Sequence, residues 1–305
     1  MPRCLWTSLV LVLLTSNLQA ADEPNYTRKE DVIYGRKFGM ALTLDVFTPK
    51  KDPNGAGIIF CVSGGFFSDK RAIMPLFFHE YLDRGYTIFA VVHGSQPKFT
   101  IPEILEDMHR AVRFVRYHAK EYGIDPERIG VSGGSAGGHL SLMLGTTGKE
   151  GNPKSIDPVD RVPSKVQAVA CFFPPTDFLN YGKEGEIALG TDALKAFKAP
   201  FDFTQLDPIT HAFNPVLDEG RRRAIGKQIS PVYQVTDKSA PTLIIHGDAD
   251  LLVPIQQSER MIEKLKEANV PCELVVKKGA VHGWGEMDKD LKLVADWFDK
   301  YLLKK

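Results

Sequence analysis

The sequence predicts an α/β fold built on a mostly parallel sheet of about eight strands, with helices on both faces. Two recurring patterns support that reading. Short continuous apolar runs, the mark of strands buried on both faces, recur along the chain, and longer stretches with apolar residues three and four apart separate them. No repeat, low-complexity tract or Pro/Gly/Ser linker divides the 305 residues into independent halves. The charge is balanced, with 38 basic against 38 acidic side chains, and 43% of residues are hydrophobic. That composition fits a soluble globular chain and lacks the basic footprint that nucleic acid or an anionic membrane requires.

The first twenty residues stand apart. Arg3 supplies a positive start, Leu5 to Leu14 an apolar core and Leu18-Gln19-Ala20-Ala21 a small-residue cleavage site, so residues 1–20 read as a secretory signal peptide. An apolar core of roughly ten residues falls short of the ~20 that span a bilayer. Cleavage and a secreted or periplasmic location are therefore expected, without stable membrane insertion.

Residues 21–305 read as a single domain. Val32-Ile33-Tyr34 and Leu42 to Phe47 alternate apolar and polar residues on either side of Gly35 to Gly39, as in an opening antiparallel pair. Strands buried on both faces are then expected at Ile58 to Val62, Thr87 to Val92, Ile129 to Val131, Val166 to Phe173, Leu243 to Ile245 and Leu274 to Val276. Helices are expected at Ile73 to Arg84, Pro102 to Tyr122, Ala136 to Leu144, Pro254 to Ala268 and Leu291 to Leu303; in the second, Ile104, Met108, Ala111, Val112, Val115 and Ala119 form one apolar stripe.

The interval between Phe173 and Thr242 is too long for a plain crossover. It reads as a helix-containing cap insertion, about 178–238, packed on the sheet's top edge. Its apolar groups are Phe197, Phe201, Phe203, Leu206, Ile209, Phe213 and Val216. Cys61 and Cys171 lie within strand runs and read as small buried hydrophobes, and no Cys or His spacing resembles a zinc site.

In parallel sheets, ligands bind beyond the carboxyl ends of the strands. There Ile129 to Val131 runs into Gly133-Gly134-Ser135-Ala136-Gly137-Gly138 and a helix follows. Gly-x-Ser-x-Gly between strand and helix is a nucleophile elbow, a turn so tight that side chains two before and two after the serine would strike backbone. It places Ser135 at a helix N-terminus, where the Ala136 N–H and the helix dipole favour developing negative charge. A phosphate-gripping loop is disfavoured, because Gly-x-Gly-x-x-Gly and the P-loop lysine are absent.

A serine hydroxyl needs a general base and a group to orient it. His282 follows the last strand in Gly279-Ala280-Val281-His282-Gly283-Trp284 and is the expected base; His246 reads as a loop anchor and His93 as a pocket residue. The acid should follow the preceding strand, where Asp248 and Asp250 both qualify by location. Asp250 is preferred because it lies beyond the turn that Asp248 makes. A second oxyanion donor should come from Val62-Ser63-Gly64-Gly65-Phe66-Phe67, through Gly64 and Gly65. Phe66, Phe67, His93 and Trp284 are the expected substrate-binding side chains. The chemistry calls for neither a metal nor an organic cofactor.

These stretches resemble the α/β-hydrolase superfamily, and within it the secreted esterases of the lipase/acetylesterase type related to the hormone-sensitive-lipase group. The resemblance runs from about Val32 to Leu303 and rests on Gly134-Ser135-Ala136-Gly137-Gly138-His139-Leu140, His246-Gly247-x-x-Asp250-x-x-Val253-Pro254 and His282-Gly283. It implies Ser135 as nucleophile, Asp250 as acid and His282 as base. The sequence departs from the family in the oxyanion loop, where His-Gly-Gly-Gly is replaced by Val62-Ser63-Gly64-Gly65.

The expected activity is hydrolysis of a neutral, short-acyl ester, on a small molecule or a carbohydrate. Rival readings are a serine peptidase of the prolyl-oligopeptidase type, which shares the motifs but whose propeller finds no room in this sequence, and a non-catalytic binding module that kept the triad by descent.

Overall fold

The computed structural model describes residues 23–305, so the expected signal peptide lies outside the described residues. The chain opens with a hairpin of β1 (Tyr26–Lys37) and β2 (Met40–Pro49). Next come β3 (Gly57–Val62), helix α1 (His79–Asp83), β4 (Thr87–Val92), α2 (Ile101–Tyr117), β5 (Ile129–Gly134), α3 (Ala136–Thr146) and β6 (Ala168–Phe172). The cap carries a short hairpin, β7 (Thr204–Leu206) and β8 (Phe213–Pro215), and α4 (Glu219–Gln228). The chain closes with β9 (Thr242–Gly247), α5 (Gln256–Glu267), β10 (Cys272–Lys277) and α6 (Met287–Phe298).

Eight strands form one sheet in the order β1-β2-β4-β3-β5-β6-β9-β10. β2 runs antiparallel to β1 and β4, and the remaining pairs are parallel. Successive strand residues point to opposite faces. Thus Ile59, Val91, Val131 and Ile244 join a core with α2, α3 and α5, while Ile58, Ile88, Ala90 and Ile245 join one with α1 and α6. Cys61 and Cys171 are free and buried in the first of these cores. No helix among the described residues is long and apolar enough to cross a membrane.

Four sequence expectations change. β1 continues through Gly35 to Lys37, with register irregularities on the way, and the turn shrinks to Phe38-Gly39. The helix expected over Ile73 to Arg84 is one 3-10 turn, Pro75–Phe78, and the five-residue α1, because Pro75 cannot donate into a helix continuing from Ile73. β10 is an edge strand and only half-buried, since no strand covers its outer side. In the cap, Phe201, Phe203 and Val216 are buried, but Leu206, Ile209 and Phe213 are not. They belong to the β7–β8 ribbon, which is exposed throughout, and Phe213 finds only the edge of Phe38, 5.1 Å away.

Besides His246, three histidines are buried by this packing. His139 of α3 donates from Nε2 to the Ile229 carbonyl at the end of α4 (2.6 Å), fastening the cap to the sheet's helical layer. His109 of α2 sits between Ser164 (2.9 Å) and Thr147 (3.1 Å). His93, at the end of β4, lies beneath the loop that follows β3. Burial pushes His93 and His139 down to about 4 and His109 to about 3, so all three fold as neutral rings.

In the unfolded chain the same rings titrate near pH 6.5. Unfolding therefore takes up protons below about pH 6.5, and stability falls as pH drops towards 4, by up to about 1.4 kcal/mol per pH unit per histidine. Urea unfolding at pH 7 and pH 5 should show a lower midpoint at pH 5, and His109→Gln should reduce the proton uptake by about one. An equal midpoint at both pH values would contradict this burial.

Candidate active site

β5, β9 and β10 end at the same edge of the sheet, with β6 between β5 and β9, and each delivers one polar side chain. β5 runs directly into α3 through Ser135, whose backbone is held at φ +54°, ψ −121°, a strained conformation for a residue with a side chain. Two glycines permit the turn. A Cβ on Gly133 would lie 2.7 Å from the Gly137 carbonyl carbon, and one on Gly137 would lie 2.5 Å from the Cys61 carbonyl oxygen of β3. The Ser135 N–H is held by the Phe172 carbonyl of β6 at 3.0 Å, which sets the serine above the strand ends.

His282, in the loop after β10, places Nε2 2.9 Å from Ser135 Oγ and Nδ1 2.7 Å from Asp250 Oδ2. An ionised carboxylate only accepts, so Nδ1 carries the ring proton and Nε2 is free to accept from the serine hydroxyl. Asp250 follows β9 and is almost wholly buried. Burial by itself raises its pKa, but hydrogen bonds from His246 and His282, then the Val253 N–H, outweigh it and hold the carboxyl well below the usual range. Oδ1 accepts from Leu252 N–H and Val253 N–H, both at 2.9 Å. His246 stands behind it, with Nε2 on the Val253 carbonyl (2.9 Å) and near Asp250 Oδ2 (3.3 Å), and Nδ1 against Ser258 Oγ (2.6 Å). Asp248 lies outside this line: it accepts from Gly279 N–H at 2.6 Å and ties the turn after β9 to the loop after β10.

Of the three expected oxyanion donors, two are open. Ala136 is the first residue of α3, and neither its N–H nor that of Gly65 has a hydrogen-bond partner among the described residues. The Gly64 N–H donates to the Phe67 carbonyl at 2.9 Å, and Phe67 N–H returns the bond to Gly64. Gly64 is thus committed to its own loop.

Two cavities meet at Ser135. A small one of about 30 Å³ contains both open donors and is closed by Phe66 and by Leu194, Phe197 and Phe201 of the cap. A larger apolar groove of about 350 Å³ lies on the other side, walled by Phe77, Phe172, Phe173, Met74 and Met287. Of the four side chains expected to bind substrate, Phe66 alone borders either cavity. Phe67 is half-exposed at the loop tip, and His93 is buried below the loop with Nε2 2.8 Å from Ser63 Oγ. Trp284 backs the groove from behind, its ring against Phe172 and Phe173 and its Nε1 donating to Asp290 (2.8 Å). Sequence reading passed over Leu194, counted Phe197 only among the apolar groups of the cap and did not pair His93 with Ser63; folding alone brings these together at the site. Among the described residues, no group of three or more His, Cys, Asp or Glu is placed to hold a metal ion.

The sheet order, the serine turn between β5 and α3, and the side chains gathered at the strand ends define an α/β-hydrolase. The chain belongs to the BD-FAE family, whose sequence profile matches residues 44–265. Among characterised relatives it is similar to the probable carboxylic ester hydrolase LipM of Mycobacterium tuberculosis, 29% identical over 251 residues, covering 80% of this chain and 53% of that protein. It is also similar to the esterase LipC of the same organism, 25% identical, covering 86% of this chain and 61% of that protein. The chain thus spans little more than half the length of these relatives.

Among solved structures it is similar to an acetyl ester-xyloside bifunctional hydrolase from Caldicellulosiruptor lactoaceticus, with a TM-score of 0.68, 27% identity, and 86% and 88% of the two chains covered. A truncated carbohydrate esterase from gut microbiota gives a TM-score of 0.72 with 25% identity, covering 92% and 98%.

The close approach at Gly137 leads to a direct prediction. Gly137→Ala should lose about 1–3 kcal/mol or more of stability, because its methyl group meets backbone that cannot yield. Thermal unfolding measures the effect, and an unchanged midpoint would mean the turn is not so tightly closed.

Proposed function

We propose that this chain is a serine carboxylesterase acting on neutral, short-acyl esters. The observation that carries this reading is the continuous line from Ser135 Oγ through His282 to the buried Asp250 carboxylate, 2.9 and 2.7 Å between successive groups, beside two unpaired N–H groups, Ala136 at the N-terminus of α3 and Gly65 in the loop after β3. The names of the relatives and of the similar structures support the same class of reaction.

In the mechanism, Ser135 Oγ bonds to the ester carbonyl carbon as its proton passes to His282 Nε2. The carbonyl π electrons move onto oxygen, where Gly65 N–H, Ala136 N–H and the α3 dipole receive the charge. His282, now an imidazolium facing Asp250, gives its proton to the departing alcohol oxygen. Water then repeats the sequence on the acyl-enzyme and restores Ser135.

The two cavities divide the substrate. The groove includes Phe173, whose ring lies 4.6 Å from the His282 imidazole, so it adjoins the group that protonates the alcohol. The small cavity beside the oxyanion donors is then left for the acyl group, and about 30 Å³ accommodates little more than a methyl. Acetyl esters follow as the favoured class. A carbohydrate alcohol is consistent with the aromatic faces of the groove and with the names of the two similar structures. Export through the N-terminal signal completes the proposal and would bring the enzyme to extracellular or periplasmic polymers.

Turnover by wild type and Ser135→Ala on p-nitrophenyl esters of increasing acyl length, acetylated xylan and peptide arylamides tests the reading. Serine-dependent hydrolysis of acetyl esters is expected; cleavage of arylamides without esters would indicate a peptidase, and no turnover at all a binding module. Asp250→Asn should lower kcat by up to ~10⁴ with the fold intact, whereas Asp248→Asn should not, because Asp248 serves the turn.

Phe197→Ala should open the acyl cavity and raise the butyrate-to-acetate ratio of kcat/KM by about tenfold or more. An unchanged ratio would place the acyl group elsewhere.

A further inference from the structure

The loop after β3 carries one of the two open donors, Gly65, and Ser68 is the loop side chain that braces it from within. The segment that follows β4 fastens it further. Ser68 Oγ bonds the Val62 carbonyl (2.5 Å) and receives His93 N–H (3.2 Å). Ser68 N–H reaches Ser95 Oγ (3.0 Å), and Gln96 N–H reaches the Phe66 carbonyl (3.2 Å). These contacts hold the far side of Gly65. On its near side, two residues away, the fastening is a bond between two side chains: His93 Nε2 and Ser63 Oγ at 2.8 Å.

The chemistry of that bond has one solution. His93 Nδ1 lies 2.8 Å from the Gly94 carbonyl, which can only accept, so Nδ1 carries the proton and the bare Nε2 accepts from the Ser63 hydroxyl. Behind it the Gly94 N–H is held by Asp107 Oδ2 of α2 (2.9 Å), and Asp107 is paired with Lys37 of β1 (2.6 Å). His93 is thus anchored to three elements of the sheet and its helical layer, and it transmits that anchorage to Ser63. A second nucleophilic dyad is ruled out by the same contacts. The imidazolium that such a dyad must form would face a carbonyl in place of a carboxylate, with the Lys37 cation as a further opposing charge.

We propose that His93 and Ser63 are a positioning pair: His93 Nε2 accepts the hydrogen bond of the Ser63 hydroxyl and so holds Gly65 N–H on the point where the substrate carbonyl becomes an oxyanion. The inference rests on the esterase reading given above. His93 borders neither cavity, and Ser63 borders the groove without taking part in the proton transfers. Their effect belongs to the transition state, because the donor they aim is worth most when the charge develops.

The test compares Ser63→Ala, His93→Leu and His93→Gln in the full chain. Measurements are kcat and KM on p-nitrophenyl acetate, the inhibition constant of an alkyl trifluoromethyl ketone, whose adduct with Ser135 places an oxyanion in the same hole, and the thermal midpoint. Ser63→Ala and His93→Leu should each lower kcat by roughly 10- to 100-fold with KM within about threefold, and weaken the ketone by a similar factor. The double variant should be no worse than either single one, since both break the same bond. His93→Gln, which keeps an acceptor at the Nε2 position, should recover most of kcat.

A purely structural role would lower the thermal midpoint and leave the kcat and ketone affinity of the folded enzyme unchanged; that result overturns the proposal, as does kcat within about twofold of wild type in both Ser63→Ala and His93→Leu. Ser135→Ala separates the two levels: if it still hydrolyses the ester, the esterase reading itself fails.

Discussion

Everything at the carboxyl edge of the sheet depends on the backbone of Ser135. A residue at φ +54°, ψ −121° costs on the order of 1–3 kcal/mol and persists only where its surroundings leave no alternative. Here β5 and α3 approach so closely that backbone atoms fill the space a side chain would need at Gly133 and Gly137. That contact lifts Oγ clear of the sheet, aims the first N–H of α3 at the same point, and fixes the distance to loops arriving from β3, β9 and β10. The same closure explains why polar groups at the site come from strand ends. Rigid, buried strands set their spacing, and the loops need only present the side chains.

Around that point the structure supplies charge and support in layers. Asp250 is buried, yet four donors converge on its two oxygens and keep it anionic: two backbone N–H groups, His282 and, more distantly, His246, with the cost of burial offset by those bonds. The cap is tied down by buried polar contacts as well as by apolar ones. His139 holds the end of α4, and Asp177, just past β6, accepts from Leu179 N–H (3.0 Å) and Tyr233 Oη (3.0 Å). A cap fixed in this way keeps Leu194, Phe197 and Phe201 over the small cavity and makes its size a property of the fold.

Much of this was legible in the sequence because it is written in local patterns. Continuous apolar runs located six strands within a few residues, and the spacing of Gly133, Ser135 and Gly137 announced the turn at the head of α3. The position of His282 and Asp250 after the last two strands follows from the same pattern, and the structure sets them in line with Ser135.

What failed to show was whatever depends on the path of a loop or on a neighbour distant in sequence. Gly64 and Gly65 look alike in the chain, yet only folding reveals that the Gly64 N–H turns back to Phe67. His93 looked like a pocket residue because it ends a strand, but its ring turns under the loop to Ser63, thirty positions earlier. Leu206, Ile209 and Phe213 were apolar enough for a core, but sit on a two-stranded ribbon that no third layer covers.

The central claim is that Ser135 is made nucleophilic by His282. Intact-mass and peptide analysis after brief exposure to paraoxon tests it most directly, because a phosphoryl group is retained by the oxygen that attacks. A single diethylphosphoryl adduct on Ser135, formed rapidly in the wild type and slowed by orders of magnitude in His282→Ala, is the predicted result. An adduct on another residue, or equal labelling of Ser135 with and without His282, would contradict the account.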